Sequence, residues 1–84
     1  MERTEAETKV MVELNTVDAV KEFTTTISRY PVEAELTSGR YTIDAKSIMG
    51  IFSLDLSKPI ELHVFCDTES VTLELLEDIS TYLS

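Results

Sequence analysis

Asp44-Ala45-Lys46-Ser47-Ile48-Met49-Gly50-Ile51-Phe52-Ser53-Leu54 is the stretch on which the fold turns. Ser47 has the short polar side chain of a helix N-cap, and an apolar run broken only by Gly50 follows it. A short helix is therefore expected from Ser47 through about Leu54. Its spacing puts Ile51 and Leu54 toward a core and leaves Ile48, Met49 and Phe52 nearer the rim. An exposed apolar group of that kind, with an adaptable methionine in it, is the chemistry of a protein-binding patch.

Upstream of this block, Val32, Ala34 and Leu36 alternate with Glu33 and Glu35, as in a strand with one buried face. Ser38-Gly39 makes a turn, and Tyr41-Thr42-Ile43 returns as the next strand of a hairpin. Further back, Val20, Phe23, Ile27 and Tyr30 recur at spacings of three and four, the stripe of an amphipathic helix. Asn15-Thr16 supplies the cap of that helix, Asp18 puts negative charge in its first turn, and Pro31 stops it. Before it, Val10, Val12 and Leu14 alternate with Lys9, Met11 and Glu13 as a first strand.

Downstream, Pro59 ends a loop, and Ile60, Leu62, Val64 and Cys66 alternate with Glu61, His63 and Phe65 in the clearest strand of the chain. Asp67 or Thr68 caps a last helix whose Val71, Leu75, Leu76, Ile79 and Leu83 face inward. The order is strand, helix, strand, strand, short helix, strand, helix, an α+β architecture with helices on one side of an antiparallel sheet. One domain is expected over residues 1–84, with 1–8 as a frayed N-terminal extension. Periodicity gives the order of the elements along the chain and leaves the order of the strands open.

The Lys46-to-Leu54 block resembles the Lys-Ser-Ile-Met-Gly-x-x-Ser-Leu segment of the HPr family, phosphocarriers of the bacterial sugar phosphotransferase system. Ser28-Arg29-Tyr30 at the end of the first helix supports the resemblance, which runs from about Lys9 to Leu83. It implies an HPr-like open-faced β-sandwich with sheet order 1-4-2-3. It also implies a phosphoryl-accepting histidine just before the first helix, in a Gly-x-His-Ala-Arg-Pro-Ala pattern, with an arginine assisting. The matching stretch here reads Leu14-Asn15-Thr16-Val17-Asp18-Ala19-Val20. Counting back from Tyr30, the histidine position falls on Thr16, the arginine position on Asp18 and the proline position on Ala19. A threonine hydroxyl has no basic nitrogen and would form a stable ester, and Asp18 would repel an incoming phosphoryl group. Thr16 and Asp18 thus mark a degenerate phosphoacceptor site, and no catalytic residue is expected. In Gram-positive members the serine matching Ser47 is a regulatory phosphorylation site, and Ile48, Met49 and Phe52 match the apolar patch shown to partners. The arginine that steadies the phosphoserine is again replaced by Asp18, which weakens that use of Ser47.

Composition narrows the function further. The chain has 84 residues, seven basic against sixteen acidic, and a net charge of −9. Phosphate backbones and anionic lipid would repel it, so nucleic acid and membrane are not its expected partners, whereas a basic protein would be steered toward it. No apolar run approaches the roughly 20 residues that span a bilayer, and the N-terminus lacks the pattern of a secretory signal. One cysteine, Cys66, suits a reducing cytoplasm, and its place on the buried phase of a strand suits an inert thiol. One cysteine and one histidine make no metal cluster, and no cofactor is implied. His63 is expected on the open sheet face beside Glu61 and Phe65, as an exposed residue loosely paired with a carboxylate.

The expectation is a cytoplasmic HPr-like protein without the acceptor histidine. It would bind or regulate a protein partner, such as a phosphotransferase or regulatory protein, through the short second helix. The alternatives are a phosphocarrier with an unusual acceptor such as His63, and a regulator switched at Ser47.

Overall fold

Alternation in the apolar runs builds one four-stranded antiparallel sheet, in a computed structural model that describes residues 6–84. The elements are β1 (Glu7–Val12), α1 (Val17–Ser28), β2 (Glu33–Ser38), β3 (Tyr41–Asp44), α2 (Ile48–Phe52), β4 (Ile60–Phe65) and α3 (Glu69–Asp78), followed by a 3-10 turn at Ser80–Tyr82. The strand order is β1-β4-β2-β3, as the resemblance implied. Long connections carry the helices across one face. Val12, Leu36, Ile60, Leu62 and Val64 of the sheet are buried there with Val20, Phe23 and Ile27 of α1, Ile51 of α2, and Leu75 of α3. The β2–β3 hairpin closes through Gly39-Arg40 between the paired Ser38 and Tyr41. Gly39 has φ 60°, a left-handed conformation that costs glycine little.

Several element boundaries differ from the sequence reading. Of the extension expected over residues 1–8, residues 1–5 lie outside the described part, while Glu7 and Thr8 belong to β1. They pair with Phe65 and Val64, and Ala6 is held in turn, its carbonyl accepting from Cys66 N (2.9 Å) and its N–H donating to Asp67 Oδ1 (2.9 Å). That bond occupies Asp67, so Thr68 is the N-cap of α3, and its side chain makes no capping bond. The short helix α2 ends at Phe52 rather than near Leu54, although Leu54 is buried as expected. Helix α3 ends at Asp78, and the chain turns so that Leu83 bridges Val12 on the outer edge of β1. There Glu13 N donates to the Tyr82 carbonyl (2.7 Å) and Ser84 N to the Met11 carbonyl (2.9 Å). A helix running on through Leu83 would have left those edge groups to water.

Candidate functional site

Thr16 is the N-cap of α1. Its backbone is extended (φ −135°, ψ 157°), and its Oγ1 accepts a hydrogen bond from Ala19 N at 3.0 Å. The hydroxyl therefore satisfies one of the unpaired amides that open every helix. Val17, the first helical residue, is 55% exposed, and Asp18 lies exposed in the first turn. Nothing at this terminus carries a basic nitrogen on Thr16, Val17 or Asp18. The positive end of the helix dipole faces a hydroxyl and a carboxylate.

The Asp44-to-Leu54 block folds on itself through its polar atoms. Ala45 N donates to the Ala34 carbonyl (3.0 Å), Lys46 N to Asp44 Oδ1 (2.8 Å), and Ser47 N to the Asp44 carbonyl (3.0 Å). Ser47 then caps α2, its Oγ accepting from Gly50 N at 3.2 Å. A five-residue helix has little stability of its own, so its packing holds it. Ile51 is fully buried, and a Cβ at Gly50 would lie 3.4 Å from Ile43 Cβ and 3.2 Å from Ser47 Oγ. The tight contact of such a Cβ would be with the capping hydroxyl, whereas its distance to Ile43 of β3 is ordinary packing. Lys46 makes the other anchor: its Nζ donates to the Tyr30 carbonyl at 2.9 Å, beyond the end of α1. The ammonium joins Arg29, the C-cap residue, as positive charge at the negative end of α1. This bond joins the Lys46-to-Leu54 block to the end of α1 through a main-chain carbonyl.

The apolar residues of α2 separate into two groups. Met49 is 77% exposed and Phe52 40%, whereas Ile48 packs partly into the core. With Ile51 inside, the surface of α2 is carried by Met49 and Phe52 and edged by Ile48. Helices α1 and α2 pack together on the same side of the sheet. Thr16, Asp18, Ser47 and the α2 patch consequently belong to the helical layer.

His63 lies on the other face. It points to the open side of the sheet as expected, yet it is neither exposed nor loosely held. Its side chain is 15% exposed, with Nδ1 against Glu7 Oε2 and Nε2 2.7 Å from Glu61 Oε1. Its ring also stacks on Phe65, centroids 6.4 Å apart. Phe65 itself is buried, although it shares the open-face phase of the strand. Glu61 was visible two residues away, but Glu7 reaches the ring only because β1 pairs with β4. Burial, the largest single influence, lowers the imidazole pKa, but the hydrogen bonds and charges of Glu7 and Glu61 together outweigh it and raise the pKa. Both ring nitrogens are thereby engaged by carboxylates.

Other pairings also lay beyond sequence reasoning. Tyr30 donates its hydroxyl proton to Asp78, which raises the phenol to about 12. Tyr82 does the same to Glu22 Oε2 at 2.7 Å, with the same rise to about 12. The first bond ties the segment after α1 to the last residue of α3, and the second ties the 3-10 turn to α1. Cys66 is half-buried, and its thiol approaches the Thr68 carbonyl at 3.6 Å. Among the described residues, no three His, Cys, Asp or Glu side chains converge as metal ligands, and no helix is long and apolar enough to cross a membrane.

A family model described as the PTS HPr component phosphorylation site matches residues 6–84. Two solved structures resemble the chain over nearly its whole length. One is HPr-C-His from Thermoanaerobacter tengcongensis, with a TM-score of 0.66 and 23% identity over 90% of this chain and 92% of that one. The other is a phosphocarrier protein HPr from Bacillus anthracis str. Ames, with a TM-score of 0.63 and 24% identity over 98% of this chain and 100% of that one. At these identities the two structures bear on the fold. No curated protein sequence matches the chain.

Proposed function

The chain belongs to the HPr family of the sugar phosphotransferase system, and within that family we propose that it is a protein-binding or regulatory module rather than a phosphoryl carrier. The observation that carries this reading is the N-terminus of α1. Thr16 stands there with its hydroxyl committed to Ala19 N, and Asp18 follows in the first turn. An acceptor at that place needs a basic nitrogen to take the phosphoryl group and a cation to stabilise it. Thr16 lacks the first and Asp18 inverts the second. The one histidine of the sequence, His63, offers no substitute: both nitrogens are engaged by carboxylates, which would repel a phosphoryl donor. The partner-binding surface in this reading is α2, where Met49 and Phe52 project from a helix fixed by Ile51, Ser47 and Lys46. The chain then acts on a phosphotransferase or regulatory protein in the cytoplasm, without a cofactor.

Intact mass tests the reading after two incubations, one with phosphoenolpyruvate and the family's phosphoryl-donor enzyme, the other with ATP and its serine kinase. The expected result is no gain in the first. A gain of one phosphoryl group there would overturn the proposal and direct the search to His63. A gain confined to the second, lost in Ser47→Ala, would make the module a switched one. Thr16→His alone is expected to stay inactive as an acceptor because Asp18 still opposes the charge, whereas Thr16→His with Asp18→Arg restores both requirements. A photo-crosslinking residue in place of Met49 tests the binding surface. Capture of a partner at position 49, with none at the exposed Tyr41 on β3, is the outcome expected.

A further inference from the structure

The outer edge of β3 carries a pattern complementary to itself. Ala45 N donates to the Ala34 carbonyl, and the same ladder runs up the hairpin through Leu36 with Ile43 and Ser38 with Tyr41. Alternate residues of an antiparallel strand turn their backbone groups to opposite sides, so Thr42 directs its N–H and carbonyl away from β2. Asp44 turns outward as well, and its carbonyl accepts from Ser47 N. β3 is the last strand in the sheet order, and among the described residues no strand pairs with this outer edge. An edge with open main-chain groups is a template for another strand.

The side chains around Thr42 decide which strand fits. Tyr41 and Ile43 flank it, and Arg40 and Asp44 stand one residue farther out on either side. An antiparallel copy centred on Thr42 therefore sets Tyr41 against Ile43 and Arg40 against Asp44, each pairing occurring twice. Ile43 packs partly into the core on the helical side, and Tyr41, in the same phase of the strand, is 70% exposed. Each Tyr41 ring would lie across Ile43 of the other copy, an aromatic and β-branched pair. At the Asp44 end of the edge, a groove of about 330 Å³ is lined by Glu33, Glu35, Thr42, Ile43, Asp44 and Lys46. The exposed Arg40 of the other copy would enter beside Asp44 and these carboxylates.

We propose that two copies of the chain associate through their β3 edges, antiparallel and centred on Thr42, so that one sheet continues across both. The two Thr42 residues exchange N–H to carbonyl bonds across the two-fold axis, and Arg40 pairs with Asp44 at either end. Such an interface is isologous, so it consumes the edge that it uses and stops at two copies. A strand of four residues buries little area, which makes the dimer a weak and reversible one. It uses none of the residues Ile48, Met49 and Phe52 assigned above to partner binding.

Sedimentation equilibrium of the whole protein up to about 1 mM tests the proposal, in about 0.15 M salt. Salt at that level screens the long-range repulsion between two chains of net charge −9 more than it screens a contact pair. The average mass is expected to rise with concentration toward that of two chains. Arg40→Asp, on the exposed hairpin turn, is expected to weaken association at least about tenfold, because like charges then face each other. Arg40→Lys keeps the charge and should retain association, and Lys58→Asp, the same charge change away from the edge, should leave it unchanged. Thr42→Pro removes the central N–H at an edge position where proline is tolerated, and should also weaken association at least about tenfold. A photo-crosslinking residue at Tyr41 should join two copies of this chain and capture no other protein. A monomer at every concentration, equal losses in Arg40→Asp and Lys58→Asp, undiminished association of Thr42→Pro, or a Tyr41 crosslink to a different protein would overturn the proposal.

Discussion

Helix caps allow the local physics to be tested against an internal control. Three helices begin on a hydroxyl residue, but only two of those hydroxyls make the capping bond: Thr16 Oγ1 with Ala19 N at 3.0 Å and Ser47 Oγ with Gly50 N at 3.2 Å. Thr68 opens α3 without one. An N-cap replaced by alanine costs about 1 kcal/mol when its side-chain bond is lost. Thr16→Ala and Ser47→Ala should each lose about that much, a fall in Tm of about 4–8 °C for a domain of this size. Thr68→Ala removes no capping bond and should stay within about 0.5 kcal/mol of the parent. Ser47→Asp retains a capping oxygen and should also stay within about 0.5 kcal/mol. Thermal unfolding followed by circular dichroism, with urea midpoints as a second measure, separates these outcomes. If Thr68→Ala lost as much as Thr16→Ala, or Ser47→Asp as much as Ser47→Ala, the hydrogen-bond account of the caps would be refuted.

The anchor between the motif block and α1 predicts that Lys46→Met, which keeps the aliphatic stem but removes Nζ, loses about 1.5 kcal/mol by urea unfolding. The His63 clamp predicts a pH dependence: its folded pKa is raised above the unfolded 6.5, so its contribution is complete below 6.5 and is lost as pH rises through the folded value. His63→Gln should remove that component from urea midpoints measured across this range, and an unchanged profile would count against the clamp. Tyr30 should ionise only toward about 12, and Asp78→Asn should return it toward 10.0 in an ultraviolet titration, since the carboxylate that holds its proton is gone. Leu62→Ala, in the middle of β4 and fully buried, should lose about 2–5 kcal/mol, the range for a leucine deleted from a packed core.

The proposed function rests on two features of one helical layer. The α1 terminus has the backbone geometry of a helix start, with a capping Thr16 and an exposed Asp18, and α2 has an apolar surface fixed from beneath. These features have separate physical requirements. A phosphoryl acceptor needs a nucleophilic nitrogen and compensating charge, whereas a docking helix needs only shape and apolar area. Under the proposed reading the second requirement does not depend on the first, because Ser47, Ile51 and Lys46 hold α2 without any bond to Thr16 or Asp18.

The element order and the buried face were legible in the sequence because alternation and the three-four spacing are local signals. Leu62 and Val64, Phe23 and Ile27, and Ile51 all fall on the core side that their spacing predicts. The caps at Thr16 and Ser47 were legible for the same reason: each bonds an amide three residues away. Contacts between distant parts of the chain carried no such signal. Glu7 reaches His63 across the β1–β4 pairing, Lys46 reaches the Tyr30 carbonyl, and Asp78 reaches Tyr30. The end of α3 was equally hidden, since Leu83 continues the helical stripe and only the unpaired edge of β1 draws it away into a bridge with Val12. The sequence by itself determined which residues are apolar at which period, and therefore the elements and their inner faces. Tertiary structure alone decided which charges meet and which strand edge is covered, because strand pairing brings together groups that no local periodicity relates.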